Sequence, residues 1–181
     1  MTRTYTVFLL ALTACSATTS SKTSDSISTL ENAKVKVSPQ IDVDYTRERV
    51  IKTTTLNGTR ARAWEALLDT HNTIGLTKAG SDPEAFTASF EGKGVRSVLS
   101  KPISSYVDCG RGAGNTSRAD TYSISLLITQ KLSAISDQQT QLATAISATA
   151  RNRGLSSEAI ECSSNGLLEQ RIAELVSARL Q

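Results

Sequence analysis

His71 is the only histidine in this sequence, and histidine is the side chain that most often acts as a catalytic acid or base. A catalytic base needs a nucleophile or an orienting carboxylate within reach. Asp69 is two residues away, and on a helix this spacing points the two side chains in different directions. A metal site would need a second histidine or cysteine at ligand spacing, and none is present. We therefore predict a non-catalytic protein without a metal or a cofactor, with His71 at the core edge or near a helix end.

Two other motifs look like binding sites only superficially. Residues 110–115, GRGAGN, are glycine-rich like a phosphate-binding loop. Such a loop follows a parallel strand and opens a helix, whereas the segment after this one alternates as a strand from Tyr122. Asp42 and Asp44 could help to bind a cation, but they lie beside a polar segment. We predict a flexible strand connection at residues 110–115 and solvated charges at the acidic pair.

The N-terminus has the order of segments found in export signals. Arg3 precedes an apolar run at residues 7–12, and small residues lead to Cys15. The run is too short to span a bilayer, which takes about 20 apolar residues. The tetrapeptide Leu12-Thr13-Ala14-Cys15 resembles the lipobox of bacterial lipoprotein precursors. The resemblance implies that residues 1–14 are a cleaved signal peptide and that Cys15 carries lipid. The alternatives are an ordinary secretory signal with an incidental cysteine and a buried apolar N-terminal helix.

Lipid on Cys15 would place the chain at a membrane. Each methylene buried in the bilayer contributes about 0.8 kcal/mol to the free energy of membrane binding. Several acyl chains therefore anchor a protein firmly, whereas a single chain binds only marginally. Lipoproteins of enteric bacteria that stay in the inner membrane typically carry Asp after the lipidated cysteine, whereas this chain has Ser16. The resemblance therefore implies a cell-envelope location and favours the outer membrane, with the protein facing the periplasm.

The remaining cysteines are Cys109 and Cys162. If Cys15 carries lipid, they form an even pair in an exported chain, and exported proteins fold in an oxidising compartment. We predict a disulfide between them. In the chain-entropy model, a loop of this length stabilises the fold by about 4 kcal/mol. The alternative is two buried free thiols.

Composition and length limit the architecture. The chain has 181 residues, of which 39% are hydrophobic, and a formal net charge of +3. This suits one domain and a tether, and it does not supply the basic surface that nucleic acid requires. Serine and threonine dominate residues 16–29, a composition that buries too little to order a chain. We predict a flexible tether at residues 15–44 and a single domain at residues 45–181.

The periodicity of the domain begins with a strand and a helix. Residues 49–56 are β-branched and partly alternating, which predicts a strand, and Asn57-Gly58 then turns the chain. Residues 59–74 place apolar side chains on one helical face. Thr59 can cap this helix and Gly75 can end it. We expect Trp64, the only tryptophan, to anchor the helix to a sheet.

Strands then dominate until a C-terminal helix. Apolar and polar residues alternate in residues 122–129 and 140–149, and a short polar turn joins the two segments. This pattern predicts an antiparallel hairpin. Ser163 or Ser164 can cap the last helix, which carries an apolar stripe made by Leu168, Ile172, Leu175, Val176 and Leu180. Consecutive strands between helices predict an α+β fold, in which a helix after the first strand and a C-terminal helix pack on one face of an antiparallel sheet.

This order of elements resembles the helix-grip domains of BamC-type lipoproteins, which belong to the outer-membrane β-barrel assembly machinery. The residues that carry the resemblance are the lipobox, the helix motif Trp64-Glu65-Ala66-Leu67-Leu68 with Gly75-Leu76 at its end, and the stripe from Leu168 to Leu180. BamC-type proteins have two such domains, whereas this chain has room for one. The resemblance implies the shape of the domain more than membership of that assembly.

Three functions remain open from the sequence. The first is a non-catalytic, lipid-anchored envelope protein that binds another envelope protein or assembly. The second is a helix-grip lipoprotein with a small apolar ligand between helix and sheet, although the aromatic content of 4% is low for such a pocket. The third, remote alternative is an envelope hydrolase. We expect no nucleic-acid partner, and the sequence does not predict an oligomeric state.

Overall fold

The computed structural model describes residues 24–38, 41–154 and 159–181. Strands are the main elements of the fold, and two long helices interrupt them. The strands are β1 Ser24–Ser38, β2 Ile41–Asn57, β3 Thr77–Asp82, β4 Thr87–Val95, β5 Ser97–Val98, β6 Lys101–Pro102, β7 Val107–Asp108, β8 Ser123–Ser136, β9 Gln139–Arg151 and β10 Ile160–Ser164. The helices are α1 Arg60–Ile74, the single turn α2 Arg118–Thr121, and α3 Leu167–Ala178.

The main sheet is antiparallel, with the strand order β1-β2-β9-β8-β4-β3. Its centre is the hairpin of β8 and β9, as the alternating pattern predicts. Ile124, Leu126 and Ile128 of β8 are buried, while the residues between them are exposed. A slip of one residue would turn this apolar set toward water, so burial specifies the register.

Two strands share one edge of β9. β2 pairs with Gln139 to Ala145 of β9, and β10 pairs with Ala148 to Ala150. Since β10 occupies the rest of the edge, the ladder between β2 and β9 stops at Ile51. From that point β2 continues only with β1 among the described residues, so residues 28–38 and 41–50 form a two-stranded arm.

The arm occupies residues that the sequence analysis assigns to the tether at 15–44. Strand β1 begins at Ser24 and β2 begins at Ile41, so regular backbone starts earlier than predicted. The reason is a period-two pattern at residues 33–38, where Ala and Val alternate with Lys and Ser. The serine-rich segment before it directed the prediction toward a solvated chain. The rest of the predicted tether, residues 15–23 and 39–40, and the lipobox with Cys15 lie outside the described residues.

Helix α1 begins and ends as predicted. Thr59 is the N-cap, and its hydroxyl accepts a hydrogen bond from the Arg62 amide at 3.3 Å. Gly75 ends the helix in the left-handed conformation, with φ of 80°, and its amide donates to the carbonyl of His71 at 3.1 Å. Trp64 contacts Phe86 edge to face, with ring centroids 5.8 Å apart, which ties the helix to the segment before β4.

Helix α3 lies beside α1 on the same face of the sheet. Leu168, Ile172 and Val176 of the predicted stripe are fully buried, which confirms the amphipathic pattern. The predicted cap is wrong by two residues: Gly166 is the N-cap, and the Ser164 hydroxyl accepts from the Gly166 amide at 3.1 Å. Gly166 has φ of 81°, a conformation that glycine adopts without strain.

These elements confirm the predicted α+β class. The sheet is antiparallel, a helix follows β2, which contains the first predicted strand, and the C-terminal helix packs on the same face. The finer likeness to helix-grip domains stays a prediction. Within residues 24–38, 41–154 and 159–181, no helix has the length and apolar character needed to cross a membrane.

Candidate functional site

Cys109 and Cys162 form a disulfide, with their sulfur atoms 2.05 Å apart, as the sequence predicts. The bond joins the residue after β7 to the middle of β10, just before α3 begins. Two hydrogen bonds from Asn165 reinforce this connection. Its amide nitrogen donates to the Tyr106 carbonyl at 3.1 Å, and its side chain donates to the Ser105 carbonyl at 2.8 Å. The disulfide therefore fastens the start of α3 to the segment that precedes β8.

His71 is fully buried between α1 and the sheet. Its ring stacks on Phe90 of β4, with centroids 3.4 Å apart and planes inclined by 5°. Its Nε2 atom hydrogen-bonds to Oε1 of Gln130 on β8. Since that oxygen can only accept, the imidazole is protonated at Nε2. Nδ1 is buried and has no partner among the described residues.

The environment of His71 favours the neutral ring. Burial lowers the pKa of His71 from 6.5 to about 4, and the hydrogen bond with Gln130 opposes this only in part. The nearby carboxylate is engaged elsewhere, because Asp69 accepts from Arg179 at 2.6 Å. His71 is thus a core residue in the last turn of α1, at the predicted helix end but deeper than the predicted core edge. Among the described side chains, no carboxylate orients it as a base.

The hydrogen bond from His71 continues across the sheet. Gln130 Nε2 donates to the Thr144 hydroxyl of β9 at 3.1 Å, and both side chains are buried. This buried chain of histidine, glutamine and threonine links α1 to the central hairpin and fixes how the helix sits on it. Gln130 was not predicted from the sequence, although alternation along β8 places it on the same side of the strand as Ile124 and Leu126. A polar residue at a buried parity is the signal that could have revealed it.

Glu169 is a second buried polar group that the sequence analysis missed. It lies in the first turn of α3, and only 1% of its surface is exposed. One carboxyl oxygen accepts from the Ser164 hydroxyl at 2.7 Å, and the other has no partner among the described residues. Burial raises the pKa of Glu169, while the Ser164 hydrogen bond and the charge of Lys52 on β2 act in the opposite direction.

We expect Glu169→Gln to raise the free energy of unfolding relative to wild type, and to raise it more at pH 8 than at pH 5. Because the folded-state pKa is raised, the buried carboxylate becomes costly as the pH rises through that pKa, and an amide avoids this cost while it still accepts from Ser164. Urea unfolding at both pH values measures the effect. Glu174→Gln is the control, since Glu174 lies on the same helix in a surface ion pair with Arg171. Equal pH dependence in wild type and Glu169→Gln would contradict the prediction.

Two of the surface hollows are lined entirely by described residues. One is at the sheet edge between β3 and β4, and the other surrounds the disulfide. Neither is lined by a residue of α1 or α3, so neither is the space between helix and sheet that an apolar ligand would need. The residues that line them are Gly80, Ser81, Asp82, Thr87, Ala88 and Ser89 for the first, and Asp108, Cys109, Gly110, Glu161, Cys162 and Ser163 for the second.

Of the two weak motifs from the sequence, only the glycine-rich one is described with its side chains. Residues 110–115 lead through the single turn α2 into β8, as a strand connection. The side chains of Asp42 and Asp44 lie outside the description, which covers only the backbone there. Among the described residues, no three His, Cys, Asp or Glu side chains are grouped to hold a metal ion.

One face of the sheet carries no helix among the described residues. Both long helices pack on the face of Ile124 and Leu126, so the opposite face of β8 and β9 is open. This open face has small side chains around an exposed leucine, Leu127, which is 38% exposed. Other residues of this face on the two strands include Ser125, Thr129, Lys131, Gln141, Ala143, Ala145, Ser147 and Thr149. Apolar and hydroxyl groups therefore lie side by side on this face.

Comparison with known proteins found no matching protein-family model, no matching curated protein and no matching solved structure.

Proposed function

We propose that this chain is a lipid-anchored protein of the bacterial cell envelope that binds another envelope protein and does not catalyse a reaction. The observation that carries the proposal is Leu12-Thr13-Ala14-Cys15 directly behind a basic and then apolar N-terminus. Lipid on Cys15 would hold the protein at a membrane, and Ser16 favours the outer membrane with the domain in the periplasm.

Two features of the domain support this proposal. A disulfide is typical of proteins that fold in an oxidising compartment, and the periplasm is one. The open face of β8 and β9 offers Leu127 and Ala145 to a partner, while the polar groups with the most unusual environments, His71 and Glu169, are buried and out of reach of a substrate. Binding of a protein therefore fits the domain better than chemistry does.

Replacement of the lipidated cysteine tests the anchor. Cys15→Ser should abolish incorporation of labelled palmitate and move the protein from the membrane fraction to the soluble fraction, because the cysteine sulfur is the atom to which the diacylglycerol is attached. Ser20→Ala, in the same serine-rich segment, should change neither. If Cys15→Ser stays in the membrane fraction without acyl label, the lipoprotein proposal is wrong.

A site-specific crosslinker tests the partner. With a photoreactive residue at position 127, we expect a discrete adduct with one envelope protein in intact cells. The same residue at position 170, an exposed site on α3, should give none. Mass spectrometry identifies the adduct. The absence of an adduct at position 127 and at position 145 would overturn binding through this face.

A further inference from the structure

The outer edge of β1 is a long strand edge without a partner in the described part of the chain. β1 is the last strand in the order of the sheet, and among the described residues only β2 pairs with it. Its ladder with β2 runs without interruption from Ser24 to Lys36, and the strand contains no proline. The backbone groups along such an edge can pair with another strand.

The opposite edge of the sheet is protected against such pairing. β3 has six residues, a bulge interrupts its pairing between Lys78 and Gly80, and Pro83 follows its end. Short length, a bulge and a proline are all features that keep edge strands from pairing with other chains. β1 has 15 residues, and its one irregularity in the pairing with β2 lies at its end, between Lys36 and Ser38. Strand addition is therefore open at β1 and hindered at β3.

Lysines can also protect an edge, but the lysines of β1 have counter-charges within the arm. In the register of the arm, Lys34 is opposite Asp44 and Lys36 is opposite Asp42. Opposite charges at directly opposed positions stabilise a pair of strands. The arm has four basic and four acidic residues, so its net charge is zero. An arm without net charge does not repel a copy of itself.

The arm by itself has fewer strands than a stable sheet needs. Its residues, 28–38 and 41–50, pair only with each other in the described chain. A two-stranded ribbon is marginally stable in water, whereas three or more strands with an apolar face are stable. A second copy of the chain carries the same arm, and pairing of the two β1 strands would give four strands.

Two-fold symmetry limits how β1 can pair with its own copy. A two-fold axis perpendicular to the sheet makes the two strands antiparallel and keeps each residue on its own face, so one residue lies opposite itself. At the centre of the uninterrupted ladder, that residue is Leu30. In this register each charged residue of β1 is opposite an uncharged residue of the second copy: Asp25 opposite Val35, Glu31 opposite Thr29, Lys34 opposite Ser26, and Lys36 opposite Ser24.

The same register aligns apolar positions across the two copies. Within one chain, Ala33 is opposite Tyr45, and Ile27 is opposite Ile51. Pairing of the copies places Ala33 of one opposite Ile27 of the other. Apolar positions then form a row from Tyr45 through both β1 strands to Ile51 of the second copy. Since Ile51 pairs with Ala145 of β9, this row continues the open face of the sheet.

We infer that the chain forms a homodimer in which the two β1 strands pair antiparallel about Leu30 and join the two sheets into one. Each arm then lies beside the domain of the other copy and gains the strands that it lacks. The axis is perpendicular to the sheet, so the open faces of both copies are on the same side. The inference depends neither on lipid at Cys15 nor on the binding of another protein to the open face.

Cysteine crosslinking at Leu30 tests the dimer. Leu30→Cys in the full chain places two thiols directly opposite each other across the axis, within reach of a disulfide. Glu48→Cys is the matched control, because Glu48 is opposite Leu30 on β2 and would lie three strand spacings, roughly 14 Å, from its own copy. Cells that produce each variant are treated with a mild oxidant, and covalent dimers are separated by non-reducing electrophoresis and identified by mass spectrometry.

We expect about tenfold more dimer from Leu30→Cys than from Glu48→Cys, because a disulfide requires closely opposed Cβ atoms. Equal amounts of dimer from the two variants would show random collision and overturn the inference. An adduct between position 30 and a different protein would also overturn it, since the edge would then bind another partner.

A mixed pair of variants tests the register. Ile27→Cys and Ala33→Cys, produced together with different tags, should crosslink to each other, and neither should crosslink to itself. Self-crosslinking of Ala33→Cys would contradict pairing about Leu30. If neither the mixed pair nor Leu30→Cys gives a covalent dimer, the homodimer is wrong.

Discussion

Cys109→Ser is expected to reduce the free energy of unfolding by about 4 kcal/mol, the loop-closure entropy of a disulfide in the chain-entropy model. The two cysteines are 53 residues apart in sequence, so the bond restricts a large part of the unfolded chain. For a domain of this size, the loss corresponds to a melting temperature lower by roughly 10–15 °C. Thermal unfolding followed by circular dichroism measures the shift, and Cys162 should become open to alkylation.

The double variant with serine at both positions separates loss of the bond from the presence of a free thiol. It should melt close to Cys109→Ser, because both lack the same crosslink. Wild-type protein treated with an alkylating reagent under native conditions is the second control. Modification of Cys162 in that sample would show that the bond does not form in the protein as purified.

Acid should destabilise the fold through His71. The folded-state pKa of His71, about 4, lies below the unfolded value of 6.5, so the unfolded chain takes up the proton first as the pH falls. Stability contributed by the neutral ring is therefore present above pH 6.5 and is lost as the pH approaches 4. A shift of this size corresponds to about 3 kcal/mol over that window. Urea unfolding at a series of pH values measures the loss.

A variant that cannot titrate isolates this contribution from those of the carboxyl groups. His71→Gln retains a donor for Gln130 and has no proton to gain between pH 6.5 and 4. It should be less stable than wild type at pH 7, because it loses the stacking on Phe90, but its stability should fall less steeply with acid. If wild type and His71→Gln have parallel pH profiles, the ring is not the buried neutral group described above.

Sequence periodicity correctly predicted the elements whose structure depends mainly on their own residues. The hairpin of β8 and β9 and the helix from Thr59 to Gly75 were predicted because alternation and capping are local properties. Pairing of Cys109 with Cys162 was also predicted, since only two cysteines remained after Cys15 was assigned to lipid. The cap of α3 was misplaced, because serine near a helix start can bond to more than one amide.

The environments of the buried polar groups depended on contacts between distant parts of the chain. Gln130 meets His71 across 59 residues and Thr144 across 14 residues, distances over which no local pattern specifies a hydrogen bond. No local pattern singled out Glu169, because its burial requires α3 to dock on the sheet near Lys52. The arm of β1 and β2 likewise exists because β10 takes the edge of β9 that β2 would otherwise follow.

Local patterns of residues therefore account for the boundaries of α1, the central hairpin and the disulfide pair, and the predicted export signal rests on such a pattern alone. Tertiary packing alone made His71 a neutral core residue, buried Glu169 and left one face of the described sheet without a helix. The physical reason is that periodicity and capping act over a few residues, whereas desolvation and strand-edge competition depend on which distant segments come into contact.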